Sequence, residues 1–164
     1  QESKKFKKVI VIAGNHDWLF EKNYYSAVAI IETAINIKYL QNSITEFDGL
    51  RIFGSPYSMW FLDWAFNGPK GGTCKEHWDK IPYNTDILII HGPPKGIMDC
   101  IPNGESVGDP DLSLKIKEIK PQLVVFGHIH AQHGITEKEG TMFINAAHLN
   151  DDYRAIYEPV VIEL

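Results

Sequence analysis

Three short apolar runs in this chain each break into a loop that carries glycine together with histidine or asparagine. They are Val9-Ile10-Val11-Ile12-Ala13 before Gly14-Asn15-His16-Asp17, Ile87-Leu88-Ile89-Ile90 before His91-Gly92-Pro93-Pro94, and Leu123-Val124-Val125-Phe126 before Gly127-His128-Ile129-His130. Runs of this length, rich in β-branched and aromatic residues, read as buried strands, and the glycines let the backbone turn sharply at their ends. Ligands in open α/β sheets bind at the carboxyl ends of strands, so the three loops are expected to meet at one site. On a strand His128 and His130 would share a face. In a loop they converge on one ion or serve two neighbouring ones.

At 164 residues the chain suits a single domain, residues 1–164, with a sizeable core. A hydrophobic content of 44% and a charged content of 23% exclude the disordered and collagen-like classes. The net charge of −5 argues against a nucleic-acid polymer as partner, and the basic cluster Lys4, Lys5, Lys7 and Lys8 reads as a solvated lead-in to the first strand. No apolar run reaches the length of a membrane span, so no membrane partner is expected. Cys74 and Cys100 are too few for a disulfide framework and lack zinc-site spacing, which reads as free thiols in a reducing, cytoplasmic setting. The chain begins at Gln1, in a polar stretch without methionine, and is read as a fragment.

Between the loops, Ala27, Ile30, Ile31, Ala34 and Ile35 recur near helical spacing and predict a helix over residues 24 to 37 that covers the sheet. Asp48-Gly49 between residues 43 to 47 and 50 to 54 predicts a tight hairpin. The segment from Tyr57 to Phe66 holds Trp60, Phe61 and Trp64 and is expected to be an ordered loop or short helix. Its rings form either a satellite core or a pocket wall on which a planar group stacks. Asp109-Pro110-Asp111 and Pro121 bracket a helix over residues 112 to 120. Short strands are expected at residues 134 to 137, 140 to 145 and 160 to 163, giving mixed α/β layering with a β-rich carboxyl end.

Asn15, His91, His128 and His130 supply one amide oxygen and three imidazoles, a set suited to Mn²⁺, Fe or Zn²⁺ rather than Ca²⁺. Two such ions about 3.5–4 Å apart clamp a phosphoryl group and activate water. Such a centre also needs carboxylates to neutralise and bridge the ions.

The three loops, in this order, resemble the third, fourth and fifth motifs of the calcineurin-like metallophosphoesterases. A closer likeness, to the metallophosphoesterase-domain-containing subfamily, rests on Ile12 to His16, on Ile52-Phe53-Gly54-Ser55-Pro56 with Trp60-Phe61 and Trp64-Ala65-Phe66-Asn67, on Thr85 to Leu88 through Pro94, and on Phe143-Ile144-Asn145-Ala146. The resemblance implies a two-sheet β-sandwich flanked by helices, and a dinuclear centre that hydrolyses phosphodiesters or phosphomonoesters, cyclic nucleotides among them. By resemblance, Asn15, His91 and His128 bind one metal and His130 the other, with Mn²⁺ ahead of Fe or Zn²⁺. His16 then faces the scissile phosphate as charge stabiliser or general acid, with Asp17 orienting its ring, and His148 is a candidate substrate contact. His77, in a charged context, and His133 beyond the metal-type loop are read as a surface residue and a pocket residue.

The family's first two motifs, Asp-x-His and Gly-Asp-x-x-Asp, are absent from this sequence, and with them the bridging aspartate. Asp99, Asp109, Asp111, Asp151 and Asp152 sit in turn or helix-start contexts and are read as solvated, not as replacements. The expected partners are therefore a small phosphoester, a nucleotide among the candidates, and an amino-terminal fragment of the same protein covering an otherwise bare sheet edge. The competing reading is a truncated binding module that keeps one metal and hydrolyses nothing.

Overall fold

The computed structural model describes residues 5–33 and 35–164; Lys4 and Ala34, named above, lie outside them. Eight strands are found: β1 Val9–Val11, β2 Ile37–Tyr39, β3 Ser43–Phe47, β4 Leu50–Ser55, β5 Ile87–Ile90, β6 Leu123–Phe126, β7 Gly134–Lys138 and β8 Thr141–Asn145. Among the described residues four α-helices accompany them, α1 Trp18–Lys22, α2 Tyr24–Ile31, α3 Lys75–Trp78 and α4 Pro110–Ile119, with a 3-10 turn at His130–Gln132. A six-stranded sheet runs β3-β4-β5-β6-β8-β7, and β1 pairs with β2 in a parallel two-stranded sheet.

Within the large sheet, β4, β5, β6 and β8 are mutually parallel, while the hairpins β3–β4 and β7–β8 close its two edges. The apolar runs alternate between two cores, as a period-two pleat requires. Leu88, Ile90, Val124, Phe126, Phe53 and Phe143 point to the core that α3 and α4 complete with Trp78, Leu112 and Ile116. Ile87, Leu123, Ile52 and Ile144 point the other way, against Leu40 and the inner residues Ile10 and Ile12. Each fully buried aliphatic side chain contributes about 1.5–3 kcal/mol. Burial on both faces therefore fixes the register, because a one-residue slip would exchange the two cores.

Local signals explain most elements. Asp48 and Gly49 adopt φ of 53° and 81°, as a hairpin turn demands. α4 starts one residue into the Asp109-Pro110 signal, with the Asp109 carboxylate accepting from the N–H groups of Asp111 and Leu112, and it ends at Lys120 in a left-handed cap. Three expectations are corrected. The helix over residues 24 to 37 stops at Ile31, its N-cap Asn23 bonded to Ser26, and Ile37 to Tyr39 form β2 instead. Ile30 and Ile35 are exposed rather than laid on the sheet. Residues 160 to 163 form no ladder, although Val160 and Ile162 still pack inward while Val161 is exposed, so the alternation reports faces and not pairing.

His77 is also corrected: it is buried, not a surface residue. Its Nδ1 lies 2.9 Å from the Asn42 amide nitrogen, its ring stacks on Tyr57 at 3.4 Å, and its Nε2 faces Glu76 at 3.3 Å. Asn42 in turn accepts from Ser55 Oγ at 2.8 Å, so the network fastens the end of β4 to α3. An amide N–H donates, so His77 Nδ1 accepts and the ring must stay neutral to keep the bond. Burial pushes the His77 imidazole below its ordinary value, with Lys80 adding to the effect and Glu76 opposing it.

The unfolded chain therefore takes up this proton first on acidification, so the contribution of His77 is fully present above about pH 6.5 and is lost as pH falls below it. Replacing His77→Gln is expected to flatten the acid-side stability slope by up to about 1.4 kcal/mol per pH unit. Urea unfolding at a series of pH values from neutral downward reads this directly. An identical slope in parent and variant would remove His77 from the linkage.

Candidate metal centre

The three loops converge. Asn15, buried beyond the end of β1, places its Oδ1 2.9 Å from Nε2 of His91, which follows β5 directly. His128, just past β6, places Nδ1 3.1 Å from the same His91 Nε2. Gly14 is required here, because a Cβ at that position would stand 2.5 Å from Cε1 of the His91 ring. His128 has a left-handed backbone with φ of 68°, uncommon for a residue with a side chain. The turn is held by Gly127 N–H donating to the His91 carbonyl at 3.1 Å and by Ile129 N–H donating to Gly127 at 2.7 Å.

These donors have the spacing a divalent ion imposes. Ligand atoms about 2.1 Å from a shared metal stand roughly 3 Å apart. Burial, reinforced by the neighbouring His128, His16 and His130, pushes the His91 imidazole down to about 3. Burial, with His130 and His16, pushes His128 down to about 4. Both rings are therefore neutral at physiological pH; Asn15 Oδ1 can only accept, so a hydrogen of His91 Nε2 occupies this position, and a metal would bind by displacing it with the ring in its other tautomer. His130 differs: its Nδ1 lies 2.9 Å from the Asn150 carbonyl, which can only accept, so Nδ1 carries the proton and Nε2 is left as the ligand atom.

Asn15, His91 and His128 thus fit one divalent ion, whereas His130 by itself does not hold a second. Among the described residues no group of three or more His, Cys, Asp and Glu is placed to bind a metal. The aspartates read as solvated divide. Asp109 is buried and accepts from Cys74 N–H and Trp78 Nε1 at 2.9 Å as well as capping α4; Asp99 is buried against Ser106 Oγ and Gly108 N–H. Their oxygens are committed to the fold, which corrects the solvated reading without making either a ligand. Asp151 does line the cleft.

The donors open on a cleft of about 480 Å³. His16 stands on its rim, 4.3 Å from the Trp64 ring and 6.3 Å from Tyr153, and Tyr153 also meets His130 edge-on at 5.3 Å. The Asp17 carboxylate accepts from Gly14 N–H at 2.7 Å and so braces the loop; the aromatic neighbours are what the structure sets against the His16 ring. The ring-rich segment does two jobs. Ala65 and Phe66 are fully buried in a third core, and Trp60, Phe61 and Trp64 form the cleft wall. Ala65 N–H donates to the Asn15 carbonyl at 3.0 Å, fixing the wall to the metal loop. His148 is not among the cleft-lining residues; its Nδ1 bonds to the Tyr157 carbonyl at 2.6 Å. His133 stacks on Tyr157 at 4.4 Å and is likewise outside the cleft.

Tyr153 carries no motif and went unread in the sequence. Asn145 was legible only as part of a family-like segment, yet it is fully buried and bridges the site. Its Nδ2 donates to the Ile129 carbonyl at 2.8 Å, and its Oδ1 accepts from Ala147 N–H at 3.0 Å. The end of β8 thereby holds the peptide between His128 and His130. Asn145→Ala strands both groups, at a cost of about 1–3 kcal/mol in stability. A loss of about 10–100-fold in Mn²⁺ affinity by calorimetry is expected with it. Asn145→Asp can accept from Ala147 but cannot donate to Ile129, so it should share the affinity loss; parental affinity in both variants would rule out the positioning role.

The calcineurin-like phosphoesterase family model matches residues 1–132. Metallophosphoesterase domain-containing protein 1 of human and of mouse is 36% identical over 94% of this chain and 54% of its own length. A UPF0046 protein of Caenorhabditis elegans is 31% identical over 96% of the chain and 62% of its own length. The chain thus spans 54% to 62% of the length of these relatives. A solved structure superposes with a TM-score of 0.62 at 19% identity, covering 89% of this chain and 60% of that one, and supports the fold alone. With a matched family model over most of its length and the family's loops gathered at one cleft, the chain belongs to the calcineurin-like phosphoesterases.

Proposed function

We propose that this chain is the larger part of a metal-dependent phosphoesterase acting on phosphodiesters or phosphomonoesters, with cyclic nucleotides among the candidate substrates, through a dinuclear centre. The observation that carries the reading is the approach of Asn15 Oδ1 and His128 Nδ1 to His91 Nε2, at 2.9 and 3.1 Å, on the floor of an aromatic-walled cleft. Asn15, His91 and His128 would hold one ion, and His130 would give Nε2 to the other. Divalent ions there, Mn²⁺ ahead of Fe or Zn²⁺, would supply Lewis acidity toward the phosphoryl group and an activated water.

The chain's own residues supply the rest. His16, exposed at the cleft rim, would donate a proton to the leaving oxygen or stabilise developing charge. Trp64 and Tyr153 limit the rotation of its ring, and Trp60 and Phe61 offer faces to a planar leaving group. The carboxylates of the centre would come from an amino-terminal segment with the Asp-x-His and Gly-Asp-x-x-Asp motifs, as part of the same working protein. Two free thiols favour a reducing, cytoplasmic setting. The competing reading, a one-metal binding module, draws on the lack of a cluster of three or more His, Cys, Asp and Glu among the described residues.

In the complete protein, His91→Ala is expected to abolish Mn²⁺-dependent hydrolysis of bis(p-nitrophenyl) phosphate and cyclic nucleotides while leaving the fold intact by circular dichroism. Mn²⁺-dependent turnover at the parental rate in that variant would overturn the site assignment. A parent that binds one equivalent of Mn²⁺ and hydrolyses neither substrate would instead establish the binding module.

A further inference from the structure

A second cavity of about 110 Å³ lies behind the metal loops, between α4, the loop after β5 and the β7–β8 hairpin. Ile97, Ile116 and Phe143 line it from three separate elements, and they also belong to the main core. Its rim carries Lys95, Lys117, Lys120 and Lys138 against a single acid, Glu139. The chain as a whole holds 16 Lys and Arg and 21 Asp and Glu, so this is a strong local inversion of charge.

Three of these lysines are not spent on neighbouring carboxylates, whereas Lys95 acts on the buried Asp99 carboxylate. Lys38, Lys75 and Lys115 elsewhere pair with Glu32, Asp79 and Glu118. Among the described residues Lys117, Lys120 and Lys138 form no ion pair, and Lys95 Nζ donates to a backbone carbonyl, that of Ser106, at 2.9 Å. Cations gathered without partners raise the local potential and attract an anion. Lys120 and Glu139 both take left-handed φ, 48° and 54°, where the chain turns at the rim.

We propose that this cavity is a binding site for a small amphipathic anion, a single aromatic ring or short acyl chain bearing a carboxylate, sulfonate or phosphate. The apolar floor takes the ring or chain and the lysine rim takes the charge. The volume sets the size: it is of the order of the ~150 Å³ apolar cavities that take up benzene, too small for a nucleotide. The site is separate from the cleft, with which it shares no lining residue, yet Pro93 lines one cavity and Pro94 the other. It therefore does not depend on the phosphoesterase reading.

The test is a titration followed by NMR of isoleucine δ1-methyl groups, using benzenesulfonate and hexanoate as anionic probes and benzyl alcohol as the neutral control. Saturable shifts at Ile97 and Ile116, with Ile101 and Ile129 in the metal cleft unmoved, are expected for at least one anion. Tighter binding of benzenesulfonate assigns a ring, and tighter binding of hexanoate an acyl chain. The double variant Lys117→Glu, Lys138→Glu, both exposed side chains whose change leaves the core intact, should weaken the anion about tenfold and leave benzyl alcohol unaffected. Shifts that do not saturate, that appear only at the cleft, that are as strong with benzyl alcohol, or that survive charge reversal would each overturn the proposal.

Discussion

Burial of the parallel strands on both faces is the constraint on which the rest of the molecule depends. With β4, β5, β6 and β8 pointing the same way, their carboxyl ends fall along one edge of the sheet, and whatever follows them is delivered together. His91 follows β5, Gly127-His128 follows β6, and Asn145 ends β8. The two sheets approach closely because Gly54 faces Leu40, where an added Cβ would stand 2.5 Å from the Leu40 Cβ. That approach brings the loop after β1, with Asn15, against His91. The pleat thus decides which donors meet, and the small residues decide how near they come.

This edge was legible in the sequence because its signals are local. A continuous apolar run followed by glycine and histidine needs no partner to be read, and neither do Asp48-Gly49 or the bracket of Asp109-Pro110 and Pro121. What was illegible depends on residues far apart in the chain. Three residues of β2 are too few to show a period, and a parallel pairing with β1 leaves no turn signal between them. His77 and Asp109 look like surface groups in their own neighbourhoods; their partners Asn42, and Cys74 with Trp78, are more than thirty positions away. Buried polar groups are satisfied by whatever the fold brings to them, and sequence context does not contain that information.

The centre itself was read at the level of residue types, and the structure adds how each is held. His91 is fixed by Gly14 and Asn15, His128 by its left-handed turn, and His130 by Asn150. His130 depends on a group outside the three motif loops, the Asn150 carbonyl. Asn145 is the strongest case, since one side chain serves both the carbonyl between the histidines and the turn beyond β8. A site whose ligands are loops acquires rigidity only from such partners.

The charge of the donor set sets its chemical preference. Asn15 is a neutral donor, and burial with the repulsion of neighbouring imidazoles keeps His91 and His128 unprotonated. A divalent cation held by neutral donors in a buried site keeps most of its charge, and low local polarity makes that charge costly until an anion arrives. Carboxylates would meet the need permanently; a phosphoryl group would meet it on binding. Glu105, Asp109 and Asp151 line this cleft, but the Asp109 oxygens are already bonded to Cys74, Trp78 and the start of α4. In the proposed centre, affinity for an anionic ligand and occupancy by a second ion would therefore be coupled through one quantity, the positive charge left uncompensated at the strand ends.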